Sequence, residues 1–285
     1  MGGEAEKITN AKMGVVSFKW SPGGTRIAYI MKDPDTEEEE KAKKEKRDVI
    51  LVNQQFKYNH LYTISVARDE EGKREVTRLT SGTLQIGAFN WSPDGKTIVF
   101  THQPDPRINN RFMSSDIASV PSDSGAITAL VTWSGADNNP KYSPDGQWIA
   151  FTSHGGSVEP VGLSDVFVIP TSGGTPKKLA HTPDRNANLI TWSSDSKQVF
   201  IAEAYRTTLR VHTLPVDGKK HRVVTEIDGV IRAVAFNKNT DRMVFTYQTT
   251  DTPVDVYISS VQSLNMANLP ISMRVYRGRL WGELN

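Results

Sequence analysis

Apolar residues in this chain gather in short β-prone runs, and the runs come in pairs joined by turn residues. The pairing repeats. Trp20-Ser21-Pro22-Gly23-Gly24 returns as Trp91-Ser92-Pro93-Asp94-Gly95, as Tyr142-Ser143-Pro144-Asp145-Gly146, as Trp192-Ser193-Ser194-Asp195-Ser196 and, in worn form, as Phe236-Asn237-Lys238-Asn239-Thr240. The aromatic positions lie 71, 51, 50 and 44 residues apart. An apolar run precedes the aromatic at 15–18, 86–89, 189–191 and 230–235, and a second follows the turn at 26–30, 97–100, 148–151, 199–201 and 243–245. Proline pre-sets φ at the first central position of such a turn, aspartate suits the second, and glycine accepts the left-handed conformation after it. Each pair therefore predicts a β-hairpin.

The second half of the repeat is as regular. Asp116-Ile117-Ala118-Ser119-Val120-Pro121 matches Asp165-Val166-Phe167-Val168-Ile169-Pro170, with 60–66, 209–215 and 255–260 in the same place. A Gly-containing turn and a further short run, such as 76–80, 127–131 or 222–224, complete most copies. Four short antiparallel strands recurring at this spacing predict an all-β fold, a β-propeller of four-stranded blades. About five blades are expected over residues 1–271, with 272–285 as a C-terminal tail and no room for a second domain. The start is offset, because residues 2–9 align with 173–180, the turn and outermost strand of a blade. Two arrangements fit. The first strand could complete the last blade, whose own fourth strand is hard to find in 262–271, and so close a five-bladed ring. Alternatively the ring is incomplete and the chain is a piece of a longer propeller, which is the simpler expectation.

Composition narrows the function. With 285 residues, 37% of them apolar and 23% charged, the chain fits the globular average. It has no cysteine, which excludes disulfides, thiolate zinc sites and a cysteine nucleophile. Its 34 basic residues against 32 acidic ones are too balanced for a general nucleic-acid or membrane-surface footprint. No apolar run approaches the roughly 18 residues that a membrane span needs, and no secretory signal is visible. Residues 33–48 form a charged insertion with eight acids and five bases, which accounts for the long first spacing. Thr36 or Asp35 can cap a helix there, and Glu37/Lys41, Glu39/Lys43 and Glu40/Lys44 stand four apart in the favourable order. It reads as a solvated helical insertion.

The Trp-Ser-Pro-Asp-Gly turns, with strand ends such as Gly173-Gly174-Thr175-Pro176-Lys177-Lys178-Leu179-Ala180, resemble the repeat shared by TolB-type propellers and the propeller domains of the prolyl oligopeptidase (S9) serine peptidases. The stretch Phe18-Lys19-Trp20-Ser21-Pro22, Ile27-Ala28-Tyr29, Asp33-Pro34-Asp35-Thr36-Glu37-Glu38-Glu39, Asp48-Val49 and His60-Leu61-Tyr62 is similar to the matching blade of dipeptidyl-peptidase and acylaminoacyl-peptidase members, insertion included. The resemblance spans residues 2–265. It implies a non-catalytic propeller that gates and binds peptide substrates for a following α/β-hydrolase domain, whose Gly-x-Ser-x-Gly elbow carries the nucleophile. No Gly-x-Ser-x-Gly occurs in this chain; the nearest segment, Gly155-Gly156-Ser157-Val158-Glu159, lacks the last glycine. No catalytic residue is therefore assigned, and the hydrolase domain is expected in the parent protein. A reading of another class stays open, a stand-alone TolB-like or WD-like propeller that binds a protein partner.

The aromatics Trp20, Trp91, Tyr142, Trp192 and Phe236 share one repeat position, which predicts packing between blades. Asp94, Asp145 and Asp195 recur within turns and read as structural. The six histidines form no close pair, and no His/carboxylate cluster has metal-ligand spacing, so neither metal nor cofactor is expected. Arg274, Arg277 and Arg279 are too few for a nucleic-acid site. The connections between second and third strands emerge on one rim and vary most, at 32–59, 102–115, 153–164, 203–208 and 248–253. A constant scaffold with variable loops on one face is how binding surfaces are usually built. His102, Arg107, Arg111, His154, Glu159, Glu203 and Arg206 are accordingly the candidate contacts for a peptide substrate or a protein partner.

Overall fold

All five hairpins form. The structure, a computed structural model, describes residues 4–49, 53–159 and 161–264 and the backbone of a last strand at 267–268. Blade 1 comprises β1 (Ser17–Trp20), β2 (Arg26–Lys32), β3 (Asn59–Ser65) and β4 (Val76–Arg78); blade 2 comprises β5 (Gln85–Trp91), β6 (Thr97–Gln103), β7 (Ser114–Pro121) and β8 (Thr128–Val131). Blade 3 holds β9 (Gly135–Tyr142), β10 (Trp148–Ser153), β11 (Asp165–Pro170) and β12 (Lys177–Lys178). Blade 4 holds β13 (Asn188–Trp192), β14 (Gln198–Tyr205), β15 (Thr208–Pro215) and β16 (Arg222–Val223), and blade 5 holds β17 (Val230–Phe236), β18 (Arg242–Gln248), β19 (Asp255–Ser260) and β20 (Ala267–Asn268). Within each blade consecutive strands pair antiparallel. Parallel links cross blades at two places among the described residues: β7 and β9 pair at Ser114↔Gly135 and Ser115↔Ala136, and Ser164 bridges to Asn186 between blades 3 and 4.

Side chains complete the hairpin turns. Ser92 Oγ accepts the Thr97 N–H (2.9 Å) and donates to Asp94 Oδ1 (2.6 Å), which also accepts the Lys96 N–H (3.0 Å). Asp145 and Asp195 sit in the same network with Ser143 and Ser193, as their recurrence predicted. These short side chains take up amide donors that the tight turn leaves without a strand partner.

Four of the five core clusters lie between blades; the fifth, Ile27, Tyr29, Tyr62 and Ile64, belongs to blade 1 alone. Ala28, Ile30 and Leu61 of blade 1 meet Ile86, Phe89 and Phe100 of blade 2. Val99 and Ile117 of blade 2 meet Ile149, Phe151 and Phe167 of blade 3, and equivalent clusters join blades 3 to 4 and 4 to 5. The aromatic position locks these contacts. Trp91 Nε1 donates to the Lys19 carbonyl (3.2 Å) and Trp192 Nε1 to the Lys141 carbonyl (2.9 Å), each reaching the inner strand of the blade before. The Tyr142 N–H donates to Asn90 Oδ1 (3.0 Å), and Phe236 packs on Phe200 with ring centroids 4.4 Å apart.

Trp20 departs from the pattern. It is 52% exposed and Phe18 is 65% exposed, whereas Trp91 and Trp192 are 6% and 3% exposed. Among the described residues, no blade packs on that face of blade 1. Among the described residues the blades form an open fan, because no core cluster joins blade 5 to blade 1 and no strand pairs between them. Residues 4–9, the described part of the segment 2–9, do not complete the last blade. Ile8 instead packs beside Tyr29 and Tyr62 of blade 1, Glu6 pairs with Arg68 and Arg74, and blade 5 takes its fourth strand from β20.

The insertion carries helix α1 (Glu37–Lys44), and Thr36 caps it: Thr36 Oγ1 accepts the Glu39 N–H (3.2 Å) while the Glu39 carboxylate accepts the Thr36 N–H (2.7 Å). That capping box changes the ion pairs. Glu39 turns to Lys57 and Lys43 to Asp35 (2.5 Å), so the expected Glu39/Lys43 pair does not form. Lys57 and the Thr36 N–H hold the Glu39 carboxyl down at about 2.

Candidate functional site

The inner strands β5, β9, β13 and β17 each carry a register shift, while β1 pairs evenly. Such bulges re-aim side chains. In β9 the bulge places Asn139 at φ 53°, a left-handed conformation that asparagine tolerates better than most residues. Asn139 Nδ2 then donates to the Leu189 carbonyl of β13 (2.9 Å) and ties blade 3 to blade 4. Gln85 ties blade 2 to blade 1, two interfaces earlier, its Oε1 accepting the Asn59 N–H (2.8 Å).

These strand ends line a cleft of 840 Å³ that spans blades 1 to 4. Its polar lining is dominated by carboxamides and hydroxyls: Gln85, Asn138, Asn139 and Asn188, with Thr101 and Ser115. Ile30, Ile86 and Phe112 supply apolar wall. Among the described residues that line it, none is acidic, and Arg111 is the single permanent cation.

Two of the seven candidates meet here. His102 is half-buried on β6, where burial lowers its imidazole against the opposing pull of Asp116, and Arg111 reaches the cleft from the short helix α2 (Asn110–Met113). The other five do not join them. Arg107 folds back onto Asp105, donating from Nε to Oδ1 (2.8 Å). His154 lies against Gly162, where a Cβ would come within 3.0 Å of Nδ1, and Glu159 is exposed and accepts the Ser157 hydroxyl (2.9 Å). Glu203 is buried inside blade 4, with Oε1 3.2 Å from His212 Nε2. Arg206, at φ 54°, belongs to a separate 220 Å³ depression between blades 4 and 5, where Arg210 stacks on Tyr205 with its guanidinium 3.4 Å from the ring centre.

A second cavity of 550 Å³ lies beside the cleft, lined by His102, Asp116, Met113 and Trp133. Next to Gly135 of its wall, Asp137 is fully buried, and burial pushes its carboxyl up to about 6 although Ser153 and the Trp133 N–H (3.3 Å) favour the ionised form. Gly135 itself is at φ 91°, and a Cβ there would fall 2.0 Å from the Ser157 carbonyl oxygen, so the 153–164 loop closes directly over it. Exposed apolar side chains crown the same rim: Ile108, Val158, Val161 and Leu163.

The carboxamides of the cleft were not singled out from sequence. Their signal was nevertheless present, since Asn138, Asn139 and Asn188 put residues that disfavour strands into inner-strand positions.

No protein-family profile matches the chain. Among curated proteins it is similar to a dipeptidyl-peptidase 5 of Arthroderma otae, 23% identical over 173 residues that cover 56% of this chain and 24% of that protein. It is also similar to a dipeptidyl-peptidase 5 of Porphyromonas gingivalis, 26% identical over 174 residues covering 60% and 25%. A solved prolyl endopeptidase shares the fold at TM-score 0.65 and 15% identity over 93% of this chain and 36% of its own, and TolB from Acinetobacter baumannii does so at 0.57 and 20% over 93% and 56%. The chain thus resembles the propeller domains of the S9 peptidases and of TolB. The stretch this propeller shares with its curated relatives is about a quarter of their length. Among its described residues, no helix is long and apolar enough to cross a membrane, and no group of three or more His, Asp or Glu side chains could hold a metal ion.

Proposed function

We propose that this propeller binds peptide substrates at the mouth of its central cleft and restricts their access to an α/β-hydrolase catalytic domain carried elsewhere in the parent protein. The observation that supports this reading most is the cleft itself. Four blades converge on one concave, hydrogen-bonding surface, and the surrounding rim presents variable loops with exposed apolar side chains. Its similarity to two dipeptidyl-peptidase 5 proteins supplies the substrate class. In this reading the propeller performs no acyl transfer, since the sequence holds no Gly-x-Ser-x-Gly elbow. A fluorophosphonate serine-hydrolase probe should leave the chain unlabelled, and short peptides should bind it; stoichiometric labelling of one serine would overturn the assignment.

The second reading is a propeller that recruits a protein partner. The exposed Ile108, Val161 and Leu163 favour it, because apolar side chains clustered on one rim are a common feature of protein contacts. Pull-down with the rim triple variant Ile108→Ser, Val161→Ser, Leu163→Ser discriminates: loss of a protein partner with peptide binding intact supports recruitment.

A further inference from the structure

We infer that the cleft reads the main chain of an extended peptide through its carboxamides and is indifferent to the charge of the peptide's side chains; this rests on the peptide-binding reading above. Three carboxamides of the lining are each oriented by one internal hydrogen bond that leaves the other half of the amide free. Gln85 Oε1 accepts the Asn59 N–H (2.8 Å), which leaves its NH2 group. The Ser115 hydroxyl is shared between the Asp137 carbonyl (3.1 Å) and Asn138 Oδ1 (3.2 Å), which again leaves the Asn138 NH2 group. Asn139 is anchored the opposite way round, donating to the Leu189 carbonyl (2.9 Å) and leaving its carbonyl oxygen. The cleft therefore carries both donors and an acceptor in its lining.

That mixture matches a peptide group, which offers one carbonyl acceptor and one N–H donor at each residue. Because the side chains are already oriented, little rotamer entropy is lost when they engage a ligand. The absence of acidic groups from the described lining removes selection for cationic side chains, and a single guanidinium, Arg111 on exposed α2, gives little selection for anionic ones. A sugar polymer is the competing class for a neutral amide surface. The cleft fits it less well, because the one Phe, Tyr or Trp among its described lining residues, Phe112, is on the exposed helix, and no carboxylate is present among them to grip paired hydroxyls.

The test uses the full chain and three end-blocked hexapeptides of Ala, Ser and Leu in which two positions are Glu, Gln or Lys, giving net charges of −2, 0 and +2, with singly backbone-N-methylated versions of the neutral one. Affinities are read by isothermal titration calorimetry at low and high salt. The three peptides should bind within about threefold of one another at either salt, and N-methylation at one or more positions should weaken binding about tenfold, as loss of a buried hydrogen bond does. Gln85→Glu and Asn138→Asp keep the internal acceptor but replace the free NH2 with an oxygen, and each should weaken the neutral peptide about tenfold. The peptide series stands on the unaltered chain should either variant fail to fold. Affinity that tracks peptide charge and salt, or ignores N-methylation, overturns main-chain readout and leaves peptide binding in place. No binding of any of the three peptides, or binding of a neutral oligosaccharide alone, overturns both.

Discussion

The hydroxyl of Thr240 accepts the backbone N–H of Ser194 at 2.9 Å, joining the hairpin turn of blade 5 to that of blade 4. Ser196 joins blade 4 to blade 3 in the same way, accepting the Asp145 N–H (3.1 Å). Both occupy the left-handed position that glycine fills in the earlier turns, at φ 54° and 60°. In those turns Gly95 and Gly146 instead sit over Pro22 and Pro93, where a Cβ would meet the proline ring at 3.7 and 3.8 Å. The stacked turns thus use two solutions: glycine over proline, or a hydroxyl over a free N–H.

The two solutions differ in what they tolerate. Thr240→Val removes the bond and keeps a β-branched residue at positive φ, and should destabilise by about 1–2 kcal/mol. Thr240→Gly loses the same bond but relieves the backbone, so its cost should be smaller. The pair Ser194→Pro with Thr240→Gly rebuilds the arrangement of blades 1 to 3 and should recover parental stability. Thermal melts of the four proteins check this; equal melting of the valine and glycine variants would count against it.

Trp192 and Trp20 share a repeat position but not an environment. Trp192→Ala removes a buried indole and its bond to the Lys141 carbonyl, and should cost about 3–5 kcal/mol. Trp20→Ala should cost less than about 1 kcal/mol, because half of the side chain already meets solvent. Urea unfolding of both variants measures the difference.

Asp137 makes stability pH-dependent. Its carboxyl sits at about 6, raised by burial above the 3.8 of a solvated aspartate. The folded chain therefore holds this proton more tightly than the unfolded one. The stabilisation is complete below pH 3.8 and is lost as pH rises through about 6. Asp137→Asn should then stabilise the fold at pH 8, by on the order of 1–3 kcal/mol, with the gain shrinking towards pH 4. Melting temperatures of both proteins across pH 4 to 8 would show it, and a pH-independent offset would refute the assignment to this carboxyl.

Gly135 controls the wall of the cavity beside the cleft. Ala at this position needs room that the Ser157 carbonyl occupies, at a positive φ besides. Gly135→Ala should cost about 2 kcal/mol or more and shift the fluorescence of neighbouring Trp133 as the 153–164 loop lifts. A variant that melts and fluoresces like the parent would mean the loop gives way freely.

Thr36→Ala tests the insertion separately. Loss of the capping box should weaken α1 by about 1 kcal/mol, seen as faster amide exchange at residues 38–41. No side chain of α1 is buried, so the melting temperature of the blades should not move.

Much of this architecture was legible in the chain because a repeated turn is a local device. Ser92, Asp94 and Gly95 close their hairpin with bonds among six consecutive residues, and the period of those turns alone sets five blades. Inner strand β9 escaped notice for a local reason as well: Gly135-Ala136-Asp137-Asn138-Asn139-Pro140 has no apolar run, and it becomes a strand through pairing with Ser114 and Ser115 and with β10. The candidate residues show the same division. Loop polarity named seven of them, yet only His102 and Arg111 share a cavity, while Glu203 turns inward to His212. Which carboxamide faces the cleft, and which indole is buried, depends on the neighbouring blade. That neighbour lies some fifty residues away along the chain, and no residue carries in its own identity the contact a second sheet will bring to it.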